Sequence, residues 1–221
     1  MEEKEKKTRS EVLEFLVVIL LGITAVATAW SSWQGGLHGS QMDQKYTMAN
    51  NLNSEANAMY NEGMQNFNQD LMLWNQLMSL GIDYAFAEMH GNEDEMEKAG
   101  YKYDQIMSDS VSEEFSEAID WAQGFDDYVS PFESEDFVSM YFAASSDKFE
   151  EAEAMLEAGN ANNTHSDNQG LVSVIYAVVL FLLGISASFK GIREKHILIG
   201  VSIAGFVVAT IFMGTIPIVM P

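Results

Sequence analysis

Cysteine is absent from this chain, and arginine is absent from its long central segment, residues 31–169. Without cysteine the chain has no disulfide framework, no thiol nucleophile and no thiolate metal site. The sequence also contains no Gly-x-Ser-x-Gly, Walker or dinucleotide-binding pattern. Its histidines His38, His90, His165 and His196 lack a metal-ligand spacing such as His-x3-His, so we expect each at a surface or interface. We therefore predict that the chain is not an enzyme and holds no cofactor or metal centre.

Three long apolar runs are present, at residues 12–30, 171–188 and 197–219. A helix that rises ~1.5 Å per residue needs about 20 residues to cross a hydrocarbon core of ~30 Å. Each run therefore predicts a transmembrane helix. The segment 31–169 shows no strand-like alternation beside turn signals. We predict an all-α integral membrane protein in which an acidic, helical external domain is inserted between transmembrane helices 1 and 2.

The charges of the chain are unevenly distributed, and this distribution predicts its topology. The N-terminus, 1–11, and the turn 189–196 together hold seven of the 11 basic residues, whereas 31–169 has a net charge of −23. Short loops rich in lysine and arginine stay in the cytoplasm. We therefore predict that the N-terminus and the turn are cytoplasmic, and that residues 31–169 and the C-terminus are extracytoplasmic. A glycosylation sequon at Asn162 would then lie outside.

The first apolar run allows a second interpretation. Ala27-Thr28-Ala29 matches a signal-peptidase site, and cleavage there would leave a chain anchored by the last two helices. The run is, however, longer than the ~7–15-residue core of a usual signal peptide. Trp30 and Trp33 also suit the aromatic belt at a membrane interface. We favour a retained helix in which these two tryptophans are interface anchors.

The acidity of segment 31–169 has two explanations. One is adaptation to high salt or divalent cations, and the other is a function that attracts cations. The densest acidic clusters, at 93–97 and 133–136, have neither the spacing nor the central glycine of an EF-hand. We expect weak cation binding to the acidic surface, and no nucleic-acid partner.

The central segment begins with an amphipathic pattern that predicts a long helix over residues 41–80. Its apolar positions recur every three or four residues. We refer to six of them as the stripe, which consists of Leu52, Met59, Phe67, Leu71, Trp74 and Met78. The stripe is expected to be either core or a contact between subunits.

Glycine and polar residues predict where the helices of the chain end. Glycine costs roughly 1 kcal/mol against alanine inside a helix, so we expect a bend or break at Gly35-Gly36. The segment 91–95 is predicted to interrupt a second helical stretch, and the polar segment 159–164 to link the central segment to the second span. The Ser-Val-Ser-Glu pattern at 110–113 predicts a capping box that begins another helix.

Small and charged residues near the apolar runs predict helix contacts. Small-xxx-small pairs let helices approach closely, either within a subunit or between subunits. Three such pairs are Ala25 with Ala29, Gly184 with Ser188, and Gly205 with Ala209. Glu14 lies near the start of the first run, where we expect it to pair with Lys7, Arg9 or the turn 190–195.

The order of several motifs resembles that of a known group of proteins. The motifs are AVATAWSSWQ at 25–34, Leu73-Trp74, FSEAIDW at 115–121 and LFLLGIS at 180–186. The chain resembles a group of three-span membrane proteins of bacteria and archaea that has no established activity. The resemblance implies the architecture and a prokaryotic origin, and it transfers no site residue.

From these features we expect a structural or interaction protein of the cell envelope that forms a homo-oligomer in the lipid bilayer through its membrane helices and external helices. The alternative is a homo-oligomeric ion channel whose acidic domain concentrates cations, because three spans alone enclose too little for a pore.

Overall fold

The computed structural model of the chain describes residues 2–189 and 191–220, and the side chains of residues 11–189 and 191–220. It is 87% helical, and the described residues contain no strand. The helices are α1 Glu2–Met89, α2 Glu93–Asp109, α3 Glu113–Gln123, α4 Glu135–Met140, α5 Ala143–Ser186 and α6 Ile192–Met213, with a 3-10 turn at Pro131–Glu133. The predicted all-α class is confirmed.

Three of the described helices, α1, α5 and α6, are long and apolar enough to cross a membrane. This finding indicates a membrane protein, as the three apolar runs predicted. Most residues in the apolar part of each helix are not buried within the single chain, which suits contact with lipid. The bounds differ in detail, because α5 ends at Ser186 and α6 covers Ile192–Met213, whereas the third span was predicted at 197–219.

The expected break at Gly35-Gly36 is wrong, because α1 continues through both glycines. Gly35 lies where α1 meets α5, and a Cβ atom added to it would come within 3.3 Å of Cβ of Gln169. Its missing side chain therefore permits close helix packing. Since most helical stability in proteins comes from tertiary packing, this contact outweighs the local cost of glycine.

The predicted link at 159–164 is also helical, because α5 runs without interruption from Ala143 to Ser186. A Cβ atom on Gly159 would meet the ring of Tyr46 at 2.5 Å. The hydroxyl of the same tyrosine donates a hydrogen bond of 2.7 Å to Oδ1 of Asn160. The polar residues of this stretch thus serve contacts of a helix and do not form a loop.

The interruption predicted at 91–95 is confirmed, and it lies at the beginning of that segment, because α2 already starts at Glu93. α1 ends at Met89, Gly91 has a φ of 65°, and Asn92 caps α2. Glycine is favoured in this left-handed conformation because it has no Cβ atom. α3 begins after Ser112, whose hydroxyl accepts from the N–H of Phe115, and not after Ser110 as the capping pattern predicted.

The chain forms two compact units. Unit 1 consists of Met1–Met48 and Ala154–Pro221, and unit 2 consists of Ala49–Glu153. Unit 1 has two apolar clusters. Their buried residues are Val17, Val179, Leu183 and Ile199 in the first, and Val172, Tyr176, Ala209 and Ile216 in the second.

The core of unit 2 is largely aromatic. Phe115 stacks on Phe137 with ring centroids 5.4 Å apart. Phe67 of α1 meets Phe132 and Tyr141 edge to face, at 5.2 and 5.5 Å. Such pairs stabilise beyond the area that they bury, by about 0.5–1.5 kcal/mol each.

Candidate functional site

The two predicted interface anchors lie side by side on α1. The ring centroids of Trp30 and Trp33 are 5.1 Å apart in an edge-to-face arrangement. Both side chains are more than two-fifths exposed on the single chain. Their amphipathic rings are therefore available to a membrane interface or to another molecule.

The three small-residue pairs lie in different surroundings. Gly205 and Ala209 pack inside unit 1: a Cβ atom on Gly205 would meet Val179 at 3.1 Å, and Ala209 is fully buried. The other four small residues are exposed, and they are Ala25, Ala29, Gly184 and Ser188. Two pairs therefore take no part in close packing within the chain.

The stripe lies mainly along the inner side of unit 2. Leu52, Met59, Phe67, Trp74 and Met78 are half-buried, whereas Leu71 is exposed. Phe67 contacts core aromatic residues, and Trp74 packs against the cluster around Leu77 and Phe115. The most deeply buried apolar residues on this part of α1 are Ala49, Ala56 and Leu77. Ala56 belongs to the same predicted repeat of three or four residues as the stripe, whereas Ala49 and Leu77 do not.

A tyrosine–aspartate contact joins this part of α1, which contains Asp70, to Tyr141, the residue that follows α4. The hydroxyl of Tyr141 donates a hydrogen bond of 2.5 Å to Oδ2 of Asp70. Burial raises the pKa of Tyr141 above its ordinary value, and the hydrogen bond and charge of Asp70 raise it further. No sequence pattern pointed to this pair, because its members are 71 residues apart.

Glu14 forms the expected ion pair with segment 190–195, and its partner Lys195 lies in the first turn of α6. Nζ of Lys195 lies 3.0 Å from Oε1 of Glu14. The lysine side chain is 8% exposed and the glutamate 57%. The other predicted partners, the side chains of Lys7 and Arg9, lie outside the described residues.

Unit 1 also holds a polar cluster that sequence analysis missed. Gln34 forms two hydrogen bonds with the backbone of Val219: its Nε2 donates to the carbonyl at 3.1 Å, and its Oε1 accepts from the N–H at 2.9 Å. Ser31 donates to Gln169 at 2.8 Å. The non-helical segment 214–220 is therefore fastened to α1.

His38 belongs to this cluster. The prediction of a surface or interfacial position is wrong for this histidine, because it is buried within unit 1. The side chain is buried, with Nε2 3.0 Å from the carbonyl oxygen of Pro217 and Nδ1 3.1 Å from Oδ1 of Asn162. Ser31, Gln34 and His38 are spaced i, i+3, i+7 on α1, which places them on one helical face. That spacing was the signal that could have revealed the cluster.

The sequon at Asn162 lies within α5 and beside this histidine. Its Nδ2 donates to the carbonyl of Ala158 at 3.0 Å. Both ends of the amide are therefore engaged in hydrogen bonds.

A cavity with an aromatic lining lies in unit 2 and has a volume of about 530 Å³. Trp74 of α1, Tyr103 of α2, and Phe125 and Tyr128 of the loop after α3 line it. Phe125 is held by an edge-to-face contact with Trp121, with ring centroids 5.0 Å apart. We refer to this space as the aromatic cavity.

Carboxylates border the aromatic cavity. Asp126 and Asp127 line it, and none of its lining residues is basic. Burial raises the pKa of Tyr103, and the carboxylates of Asp104 and Asp120 raise it further. The phenol is therefore neutral at physiological pH, and it lies in a region of negative potential.

Comparisons of the chain with protein-family models, with curated proteins and with solved structures find no match. Function is therefore inferred from the residues of this chain. Two features stand out in the described part: the exposed small-residue pairs of unit 1, and the aromatic cavity of unit 2.

Proposed function

We propose that this chain is a structural or interaction protein of the cell envelope that self-associates through its membrane helices. The observation that supports the proposal is the exposure of two small-residue pairs. The first is Ala25 with Ala29 on α1, and the second is Gly184 near the end of α5 with Ser188 in the turn that follows it. The third pair, on α6, packs within unit 1. The exposed pairs are the faces that we assign to a second copy.

Lipid explains why small residues matter here more than large apolar ones. Lipid tails are as apolar as leucine, so moving an exposed large apolar side chain from lipid into a helix contact lowers the free energy little. Helix association depends instead on close van der Waals packing, which small residues permit. Gly184 has no atom within 4 Å of where a Cβ would lie, so a partner helix could approach its backbone closely.

The topology of the proposal follows from the basic residues. Short loops rich in lysine and arginine stay in the cytoplasm, which assigns the N-terminus and the turn 189–196 to that side. The acidic segment 31–169 is then an extracytoplasmic domain, and its 27 carboxylates would attract cations and basic partners.

Disulfide cross-linking in native membranes tests self-association directly, because the chain has no cysteine of its own. Ala29→Cys and Gly184→Cys should each give a covalent dimer on oxidation, since a disulfide needs Cα atoms within about 7 Å. Val26→Cys and Val178→Cys, at exposed positions of the same helices, are the matched controls. Equal cross-linking at all four positions would indicate random collision and would contradict the proposal.

The size of the protein in a mild detergent gives a second measure. Ala29→Leu combined with Gly184→Leu should shift the species seen by mass photometry to the monomer, while Val26→Leu combined with Val178→Leu should not. A wild type that is folded and monomeric throughout would refute self-association. Cation flux into liposomes that is lost together with the oligomer would favour the channel alternative over a structural role.

A further inference from the structure

We propose that the aromatic cavity of unit 2 binds an organic cation whose charge is spread over methyl or alkyl groups, as in a quaternary ammonium ion. The site is independent of the helix contacts proposed for self-association. Its elements are Trp74 and Tyr103 on helices, Phe125 and Tyr128 on the following loop, and two carboxylates at the border.

The aromatic lining favours a cation over a neutral apolar ligand. The face of an aromatic ring carries negative charge density, and indole attracts cations most strongly. Four aromatic residues from three separate elements line one space here, which resembles the arrangement that recognises quaternary ammonium groups in general. Trp74 and Tyr103 are half-buried, so a ligand would be partly removed from water, where cation–π attraction increases.

The charge around the cavity excludes anions and supports the same ligand class. Unit 2 contains 24 acidic residues and only three basic ones. Asp126 and Asp127 lie in the lining itself, and the raised pKa of Tyr103 reflects Asp104 and Asp120 as well as burial. An anionic ligand would meet like charges here, whereas a cation would be attracted from solution.

The apolar residues of the lining explain why the cation is organic. Leu77, Ile82 and Val129 also line the cavity. A calcium ion needs about six to eight oxygen ligands, and no group of three or more His, Asp or Glu among the described residues could hold a metal ion. A quaternary ammonium ion has no such requirement, because its charge is spread over methyl groups that can contact both the aromatic rings and the apolar side chains.

The volume also fits a small ligand. Ligand cavities usually measure about 300–1,000 Å³, and are mostly apolar with a few polar groups that orient the ligand. At about 530 Å³ the aromatic cavity lies inside this range. Phe125 and Tyr128 are 49% and 70% exposed, so they line the solvent-facing side of the cavity.

Isothermal titration calorimetry with choline tests the proposal on the full-length protein in a non-ionic detergent. The neutral control is 3,3-dimethyl-1-butanol, in which carbon replaces the charged nitrogen of choline. At about 0.15 M salt, where bulk electrostatic attraction is screened within ~8 Å, choline should bind at least about tenfold more tightly than the neutral alcohol.

Variants at the mouth locate the site. Tyr128→Ala and Phe125→Ala should each weaken choline binding about threefold to tenfold, and so should Asp126→Asn combined with Asp127→Asn. Tyr101→Ala removes an aromatic ring that is equally exposed but outside the cavity, and Glu93→Gln with Asp94→Asn removes the same charge elsewhere. Both controls should keep the wild-type affinity within about twofold.

Three results would overturn the proposal. Equal binding of choline and the neutral alcohol would make the cavity a merely apolar site. Equal weakening by the cavity variants and their controls would indicate diffuse attraction to an acidic surface. No heat of binding with choline, in protein whose circular dichroism is helical, would remove the site altogether.

Discussion

Single polar residues of α1 hold the non-helical end of the third apolar run in place. Gln34 offers a donor and an acceptor to the backbone carbonyl and N–H of one residue, Val219, as a neighbouring strand would. Near a hydrocarbon region an unsatisfied backbone group is expensive, so this pairing allows segment 214–220 to be non-helical. His38 provides a further hydrogen-bond partner for this segment, because its Nε2 contacts the carbonyl oxygen of Pro217.

The Tyr141–Asp70 contact leads to a prediction about pH. Burial and Asp70 raise the pKa of Tyr141, so the folded state keeps the phenol proton more tightly than the unfolded state, whose phenol titrates near 10.0. The stabilisation is therefore complete below pH of about 10 and is lost as pH rises above it.

Tyr141→Phe should lower the thermal midpoint below that pH, because Asp70 loses a donor that stabilises by about 1–2 kcal/mol. The difference between variant and wild type should then shrink as pH rises above about 10. Thermal unfolding of the full chain in detergent, followed by circular dichroism, measures both effects. Tyr101→Phe, at an exposed position, is the control, and a difference that does not vary with pH would contradict the argument.

At the scale of helices, glycine has a different role from the one that its propensity suggests. Gly35 and Gly159 lie inside uninterrupted helices of unit 1, where they let Gln169 and Tyr46 approach. Gly63 lies inside α1 in unit 2, where a Cβ atom would collide with the backbone carbonyl of Tyr141. These glycines lower the local stability of their helices, but they permit closer contacts with other parts of the chain.

Two glycines of α1 provide a matched test of this role. Gly63→Ala should destabilise the protein by about 1–3 kcal/mol, because a rigid backbone atom must move to admit the methyl group. Gly81→Ala should stabilise it by about 0.5–1 kcal/mol, because Gly81 is exposed, has no atom within 4 Å of the new Cβ, and gains helix propensity. Thermal midpoints of the two variants should therefore move in opposite directions. If both midpoints shift in the same direction, packing around Gly63 does not determine how the Gly63→Ala substitution changes stability.

The whole molecule combines three helices able to span a membrane with an acidic helical unit. Single cysteines in intact cells test the proposed orientation of the chain in the membrane. Ser54→Cys and Met220→Cys, at exposed positions, should react with an impermeant thiol reagent, because both lie in regions assigned to the outside. Phe189→Cys, in the turn between the last two spans, should react only after the membrane is opened. The cysteine-free wild type provides the background, and the reverse labelling pattern would invert the proposed topology.

Much of the architecture was accessible from the sequence because it depends on local composition. The three spans follow from apolar length, the absence of strands in the described residues from helical periodicity, and the break near Gly91 from a residue that tolerates positive φ. The Glu14 ion pair was predicted as well, since opposite charges at the same end of two apolar runs attract each other.

Tertiary structure alone decided how distant residues meet. Whether Gly35-Gly36 breaks a helix depends on α5 lying against it, and whether His38 is exposed depends on Asn162 and segment 214–220. The aromatic cavity joins residues of α1, α2 and a loop that no spacing relates. Apolar length and helical period are properties of neighbouring residues, so the sequence by itself determined the helices. Burial and side-chain hydrogen bonding between distant residues arise only when separate helices pack, so the tertiary structure decided them.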